Sequence, residues 1–323
     1  MTVGAAVEVS HHRVQAAVPD DLRAGIVRWA PVKSLWFLGM ATGAVVGGAL
    51  TFSGAAVAVF VGSTALVLLF GHSLGNHRKL VHDSFQCPKW LEYALVYLGV
   101  QVGLAGPFGL LRQHELRDYA QRQFDCHEYL RHGRPAGIDA WWQLNCELVL
   151  LRPPVIRIEP GIAQDRFLRF LERTWMAQQL PGAFLLYTAG GWAFVWWGLC
   201  ARVTAAVFGH WLIGYLAHNH GELVREVRGA AVQGRNVRFT SLLTMGECWH
   251  NNHHAFPGSA RLGLRPDEWD PGWWALQGLR RLGLIWDVKL PVDLPFRPEV
   301  VPVSTRTGAS PDPPCRGQRG LAG

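Results

Sequence analysis

The stretch Gly246-Glu-Cys-Trp-His-Asn-Asn-His-His-Ala-Phe-Pro257 sets three histidines, His250, His253 and His254, within five residues. A helical turn takes about 3.6 residues, so offsets of three and four return to nearly one face. Three imidazoles on one face can converge on a metal ion, a spacing that packing alone rarely needs. Upstream, Gly71-His-Ser-Leu-Gly-Asn-His-Arg-Lys-Leu-Val-His82 places His72, His77 and His82 at five-residue intervals. Five residues turn roughly 140° on a straight α-helix, so these three converge only if the helix ends, bends or meets ligands from both sides. The polar run from Arg112 to His132 adds His114, Asp118, Asp125 and His127, and a solvated helix face accounts for most of it, His132 and Glu128 included. Further on come His210, His218 and His220. Neutral imidazoles suit iron, copper, zinc or nickel, so ligand type alone does not choose the metal.

Long apolar segments must position these residues. From Leu35 to Asn76 there is no Asp, Glu, Lys or Arg, which suits two membrane helices of about 20 residues each. Thr51-Phe-Ser-Gly54 is the natural reversal, giving spans of about 35–51 and 54–74. Lys33 precedes this hairpin and Arg78-Lys79 follows it, so the positive-inside rule puts both outer ends in the cytoplasm. Charge is absent again from Thr174 to Ala201, and beyond Arg202 until Glu222. That is a second hairpin, with spans of about 176–194 and 198–217. His218 and His220, at its cytoplasmic exit, reach the level of His77 and His82. His210 lies about two turns deeper, where a structural hydrogen bond is its expected role. Residues 90–111 are long enough to cross, but a crossing would part His82 from His114, so an interfacial or re-entrant segment is expected.

The fold expected is therefore an all-α integral membrane protein with four transmembrane helices in two hairpins. Residues 1–34 are a cytoplasmic N-terminal segment, and residues 77–174 and 218–295 form a cytoplasmic, histidine-rich helical cap. The membrane domain is 35–295, and 296–323, rich in Pro, Ser, Gly and Arg, is a disordered tail. Composition agrees: 17% charged residues, 49% hydrophobic ones and fifteen Trp suit a membrane and its interfaces. The net charge of +7 follows from Arg flanking the apolar runs, ten of them between Arg112 and Arg173, which fits topology and anionic lipid better than nucleic acid. Trp269, Trp273, Trp274 and Trp286 are expected against the membrane surface or the helical core. The six cysteines form no CxxC pair, which points to free thiols rather than a disulfide or zinc-thiolate framework. Residues 1–34 contain no continuous apolar region of signal-peptide type.

From about residue 33 to about 290 the chain resembles the membrane-bound fatty acid desaturases, the stearoyl-CoA desaturase-like group in particular. His77-Arg-Lys-Leu-Val-His82 is similar to that family's HxxxxH box. His250-Asn-Asn-His253-His254, preceded by Gly246-Glu247, is similar to its final HxxHH. Trp211-Leu-Ile-Gly-Tyr-Leu-Ala-His218 looks like the helix that supplies another iron-binding histidine. The family's second box, HxxHH, reads His114-Glu-Leu-Arg117-Asp118 here, and Gly214 stands where the family has Asn. Two imidazole ligands are thus replaced. Asp118 could supply a carboxylate, and His72, His127 or His220 could fill gaps; alternatively Arg117 puts a cation where a ligand should be and weakens one metal position.

The resemblance implies a pair of irons held by His77, His82, His114, His218, His250, His253 and His254, with Asp118 and His72 as further candidates. It implies a fatty acyl substrate, linked to CoA or lipid, with Arg112 at the acyl-CoA head and Trp211 lining the acyl tunnel. Electrons would come from a separate carrier such as ferredoxin or cytochrome b5, and O2-dependent removal of two hydrogens would leave a double bond. Acyl hydroxylation by the same oxidant is the near neighbour. A non-catalytic metal-binding membrane protein on the same scaffold is the alternative from a different class.

Overall fold

Pro31 opens α1 (Pro31–Leu50), its fixed φ suiting the first helical position, where its missing N–H breaks no intrahelical bond. Residues 51–53 reverse the chain, and Ser53 caps α2 (Gly54–Val81) by accepting a hydrogen bond from Ala56 N. The computed structural model describes residues 13–15 and 21–303. The second half of α2, Val67–Val81, is a π-helix. Its i→i+5 hydrogen bonding widens each turn, so residues five apart come nearly into line, as they do not on an α-helix. The pattern runs into the histidine box itself, where His82 N–H donates to His77 O at 3.1 Å.

Helix α3 (Lys89–Gln101) runs antiparallel along this part of α2. A Cβ at Gly71 would lie 2.3 Å from the Leu98 carbonyl carbon, and one at Gly75 would lie 2.4 Å from Leu95 O. Only glycine allows backbones to approach so closely. Gly103, with φ +82°, helps turn the chain, and α4 (Pro107–Arg122) returns to the histidine end of α2. Residues 90–111 thus run out along α2 and back, and the His82 and His114 rings lie 4.9 Å apart.

Helices α5 (Ala136–Asn145) and α6 (Arg166–Thr174) follow, then the long apolar run α7 (Gln179–Asn219). Straight, α7 would separate Gln179 from Arg202 by roughly 35 Å. Instead Arg202 Nη2 donates to Gln179 Oε1 at 2.8 Å, because Gly190 and Gly191 break the helix and fold it back. The returning limb starts at Trp192, so residues 195–197, expected near the turn, are helical. Arg202 is buried and also donates to Gly198 O and Gln101 O, which accounts for a charge within an apolar limb. By length and composition α1, α2 and α7 are each able to cross a membrane.

The fold is mostly helical, but an all-α expectation needs correction. Three two-stranded antiparallel pairs are present: Asp21–Trp29 with Cys146–Arg152, Val14–Gln15 with Val155–Ile156, and Arg225–Val227 with Val300–Pro302. Each pairs segments distant in sequence, so no local pattern announced it. Residues 297–303 also belong to the fold, for Arg297 Nη1 donates to the carbonyls of His254 and Ala255. The remainder of the expected tail, 304–323, lies outside the described residues. Helix α8 (His250–Ala255) carries the last histidine box, and α9 (Pro271–Arg281) packs through Leu276 and Trp273 on Leu74, Phe85 and Leu95 of the α2–α3 region. Trp269, Trp274 and Trp286 remain exposed. The five cysteines among the described residues are free.

Candidate metal centre

Four elements bring ring nitrogens together in two groups. The first is His77 and His82 of the α2 exit, His114 of α4 and His253 of α8; the second is His218 of α7 with His250 and His254 of α8. Within each group the ligand atoms lie within 4.8 Å of one another. The groups adjoin, with His250 and His253 rings 5.6 Å apart. All seven histidines expected as ligands are therefore brought together. The wide turn of the π-helix accounts for His77 and His82, whose rings are 4.8 Å apart despite a spacing unsuited to an α-helix.

The donor set fits a metal that binds imidazole. His82 Nε2, His114 Nδ1 and His253 Nε2 are buried without a hydrogen-bond partner. An unsatisfied buried polar atom costs about 1–3 kcal/mol, and converging lone pairs are repulsive unless a cation lies among them. Burial holds His250 and His253 well below the usual histidine pKa and pushes His254 down to about 4, so these rings are neutral at pH 7, the form that can bind a metal.

Asp118 stands beside the first group without being part of it. Its Oδ2 lies 3.8 Å from His114 Nδ1 and 3.9 Å from His253 Nε2. Burial alone would raise its pKa, but His114 and Arg122 hold it well below the usual carboxylate range. Arg117 does not enter either group. Its guanidinium contacts His132 Nε2 and donates to Gln143 Oε1 at 2.9 Å. His132, expected on a solvated face, is instead buried, because its Nδ1–H donates to buried Asp139 at 2.8 Å and its ring stacks on His218 at 5.4 Å. It also occupies the room beside Gly214, where a Cβ would lie 3.3 Å from His132 Nε2. Burial and the Arg117 cation push His132 down to about 4, which leaves Nε2 free to accept from that cation.

The other candidates fall elsewhere. His72 packs on His210 at 5.1 Å between ring centroids and lies in neither group. His127 caps the turn after it by accepting from Tyr129 N, and His220 packs on Tyr215. Trp211 is buried and donates to Asp139 Oδ2 at 2.8 Å, whereas Arg112 is exposed on α4.

Charged residues to which the sequence assigned no role at the site lie against these histidines. Glu247 Oε2 lies 2.6 Å from His77 Nδ1, and its Oε1 accepts from Ser73 Oγ at 2.6 Å. Arg78, almost fully buried, donates to Ser73 Oγ at 2.7 Å and to Asp270 Oδ1 at 2.9 Å. Asp270 also accepts from the backbone N–H groups of Leu262, Gly263 and Trp273. One network thus locks the first box to the segment carrying the last. The only signal for it was Glu247 preceding the box; Asp270 stands sixteen residues beyond His254 in an unmarked loop.

A family profile described as fatty acid desaturase matches residues 55–266. The chain is 34% identical over 239 residues to an sn-2 palmitoyl-lipid 9-desaturase of Nostoc sp. (strain 36), covering 72% of this chain and 81% of the relative. It is 35% identical over 274 residues to an sn-1 stearoyl-lipid 9-desaturase of Anabaena variabilis, covering 82% and 94%. An acyl-CoA 5-desaturase of Anemone leveillei is 31% identical over 245 residues, covering 76% and 75%.

Proposed function

The chain belongs to the fatty acid desaturase family and is a membrane oxidoreductase that desaturates fatty acyl chains, and on that premise we propose how this molecule does so. The observation that carries the reading is the convergence of seven imidazoles into two adjoining groups. His77, His82, His114 and His253, with the Asp118 carboxylate, would hold one iron; His218, His250 and His254 would hold another. When bound, such a pair supplies the O2-dependent oxidation that unactivated C–H bonds require.

The protein's own residues bind, orient and exclude water. Glu247 fixes the His77 ring, and the Arg78–Asp270 pair keeps the α8 ligands over the α2 exit. Buried Trp211 beside the second group would line the acyl channel, and exposed Arg112 suits an anionic head group of a CoA- or lipid-linked substrate. Relatives named for lipid-linked and CoA-linked substrates occur at similar identity, so both carriers belong in the test. Electrons come from a separate donor such as ferredoxin or cytochrome b5. The chain crosses the membrane four times, with the metal centre and both termini on the cytoplasmic side; the reversals at residues 51–53 and 190–191 and the positive flanks support this topology.

Lipid analysis of a host expressing the chain tests the reading. New unsaturated acyl products that require O2, and that vanish in His253→Ala, are expected. An unchanged lipid profile, or product retained by His253→Ala, would overturn it.

A further inference from the structure

The second group holds three imidazoles where the first holds four with the Asp118 carboxylate nearby, and Arg117 points to His132. One turn further along α4 from Arg117, and so on the same face, stands Gln121, which is 1% exposed. Its amide is pinned: Nε2 donates to Leu130 O at 2.8 Å, and the opposite orientation would set two carbonyl oxygens against each other. Its Oε1 therefore points the other way, to within 3.0 Å of His218 Nε2.

His218 cannot supply a hydrogen to that contact as a neutral ring. Its Nδ1 lies 2.7 Å from Gly214 O, a pure acceptor, so the ring proton belongs on Nδ1 and Nε2 is bare. A bare nitrogen thus faces a carbonyl oxygen at 3.0 Å and a second imidazole nitrogen, His250 Nε2, at 3.2 Å. A proton on His250 can serve one of its two neighbours, His218 or His254, but leaves the His218–Gln121 contact without any hydrogen. Facing lone pairs are stable with a cation among them.

We propose that the Gln121 side-chain carbonyl is the fourth ligand of the second metal position, a role resting on the two-metal reading above. Arg117 and Asp118 then mark a helix whose ligands have been redrawn: His114 and Asp118 serve the first position, and Gln121, one turn beyond Arg117, serves the second. A neutral amide oxygen is a weaker partner for a metal held by imidazoles than another imidazole would be. The second position therefore releases its iron before the first.

The test compares wild type with Gln121→Ala and Gln121→Glu as full chains in detergent, loaded with Fe(II) and followed for iron content during exposure to a chelator. Wild type should hold two irons and lose them in two phases. Gln121→Ala should lose the fast-phase iron at least about tenfold faster. Gln121→Glu keeps an oxygen ligand but cannot donate to Leu130 O, so it should release that iron no faster than wild type. Wild-type release kinetics in Gln121→Ala would overturn the assignment, as would Gln121→Glu behaving like Gln121→Ala, since only the lost Leu130 bond would then matter. A wild type that holds a single iron would overturn the two-metal reading itself and this assignment with it.

Discussion

Glu247 and Asp139 lie against histidines on the two sides of the candidate centre, Glu247 at His77 and Asp139 at His132, which stacks on His218. Partners of this kind fix a ring's tautomer and direction, and removing one weakens metal binding by about 10–100-fold. Glu247→Gln should lower iron affinity by that factor while leaving the fold intact, read as iron retained after dialysis; unchanged retention would deny Glu247 its orienting role. The buried imidazoles also set a pH dependence. An unfolded histidine takes up a proton near pH 6.5, whereas His254 resists until about 4, so between those values the unfolded state binds more protons. Stability of the metal-free protein should be full above about pH 6.5 and fall as pH drops toward 4. Thermal unfolding at a series of pH values checks this, and a flat profile would contradict it.

The π-helical half of α2 is the element on which the first group depends. It converts a five-residue spacing, which an α-helix would scatter, into neighbouring rings, and it does so where Gly71 and Gly75 let α3 press against it. A side chain at Gly71 would collide with the Leu98 backbone, which cannot move aside as a flexible tip could. Gly71→Leu should therefore cost about 3 kcal/mol or more, beyond ordinary overpacking, and should also reduce iron content. Gly39→Ala, at a glycine with nothing within 4 Å, is the control expected to leave both unchanged. Equal thermal stability of the two variants would show that the close crossing is unimportant. The His77–His82 spacing was plain in the sequence, but the helix type that makes it useful was not, because i→i+5 bonding is stabilised here by packing between helices.

At the scale of the molecule, two reversed apolar runs and the α3–α4 pair bring the candidate ligands together. Single cysteines placed at Ser53 and Gly191 should be labelled by an impermeant reagent only from the non-cytoplasmic side, and one at Arg112 only from the cytoplasmic side; labelling of all three from one side would refute the four-crossing topology. The sequence by itself determined the seven histidines, the charge-free runs and the family likeness, because side-chain chemistry and hydropathy are local properties with short periods. Only the tertiary structure decided how those histidines divide into two groups, that His72 stands outside them, and that Arg117 turns to His132 while Asp118 approaches His114 and His253 and Gln121 approaches His218. The Arg78–Asp270 lock and the strand pairs that tie residues 21–29 to 146–152 and 225–227 to 300–302 are likewise tertiary. Each joins residues far apart in sequence, and a residue's partner across such a distance is set by how the helices pack, which no window of sequence contains.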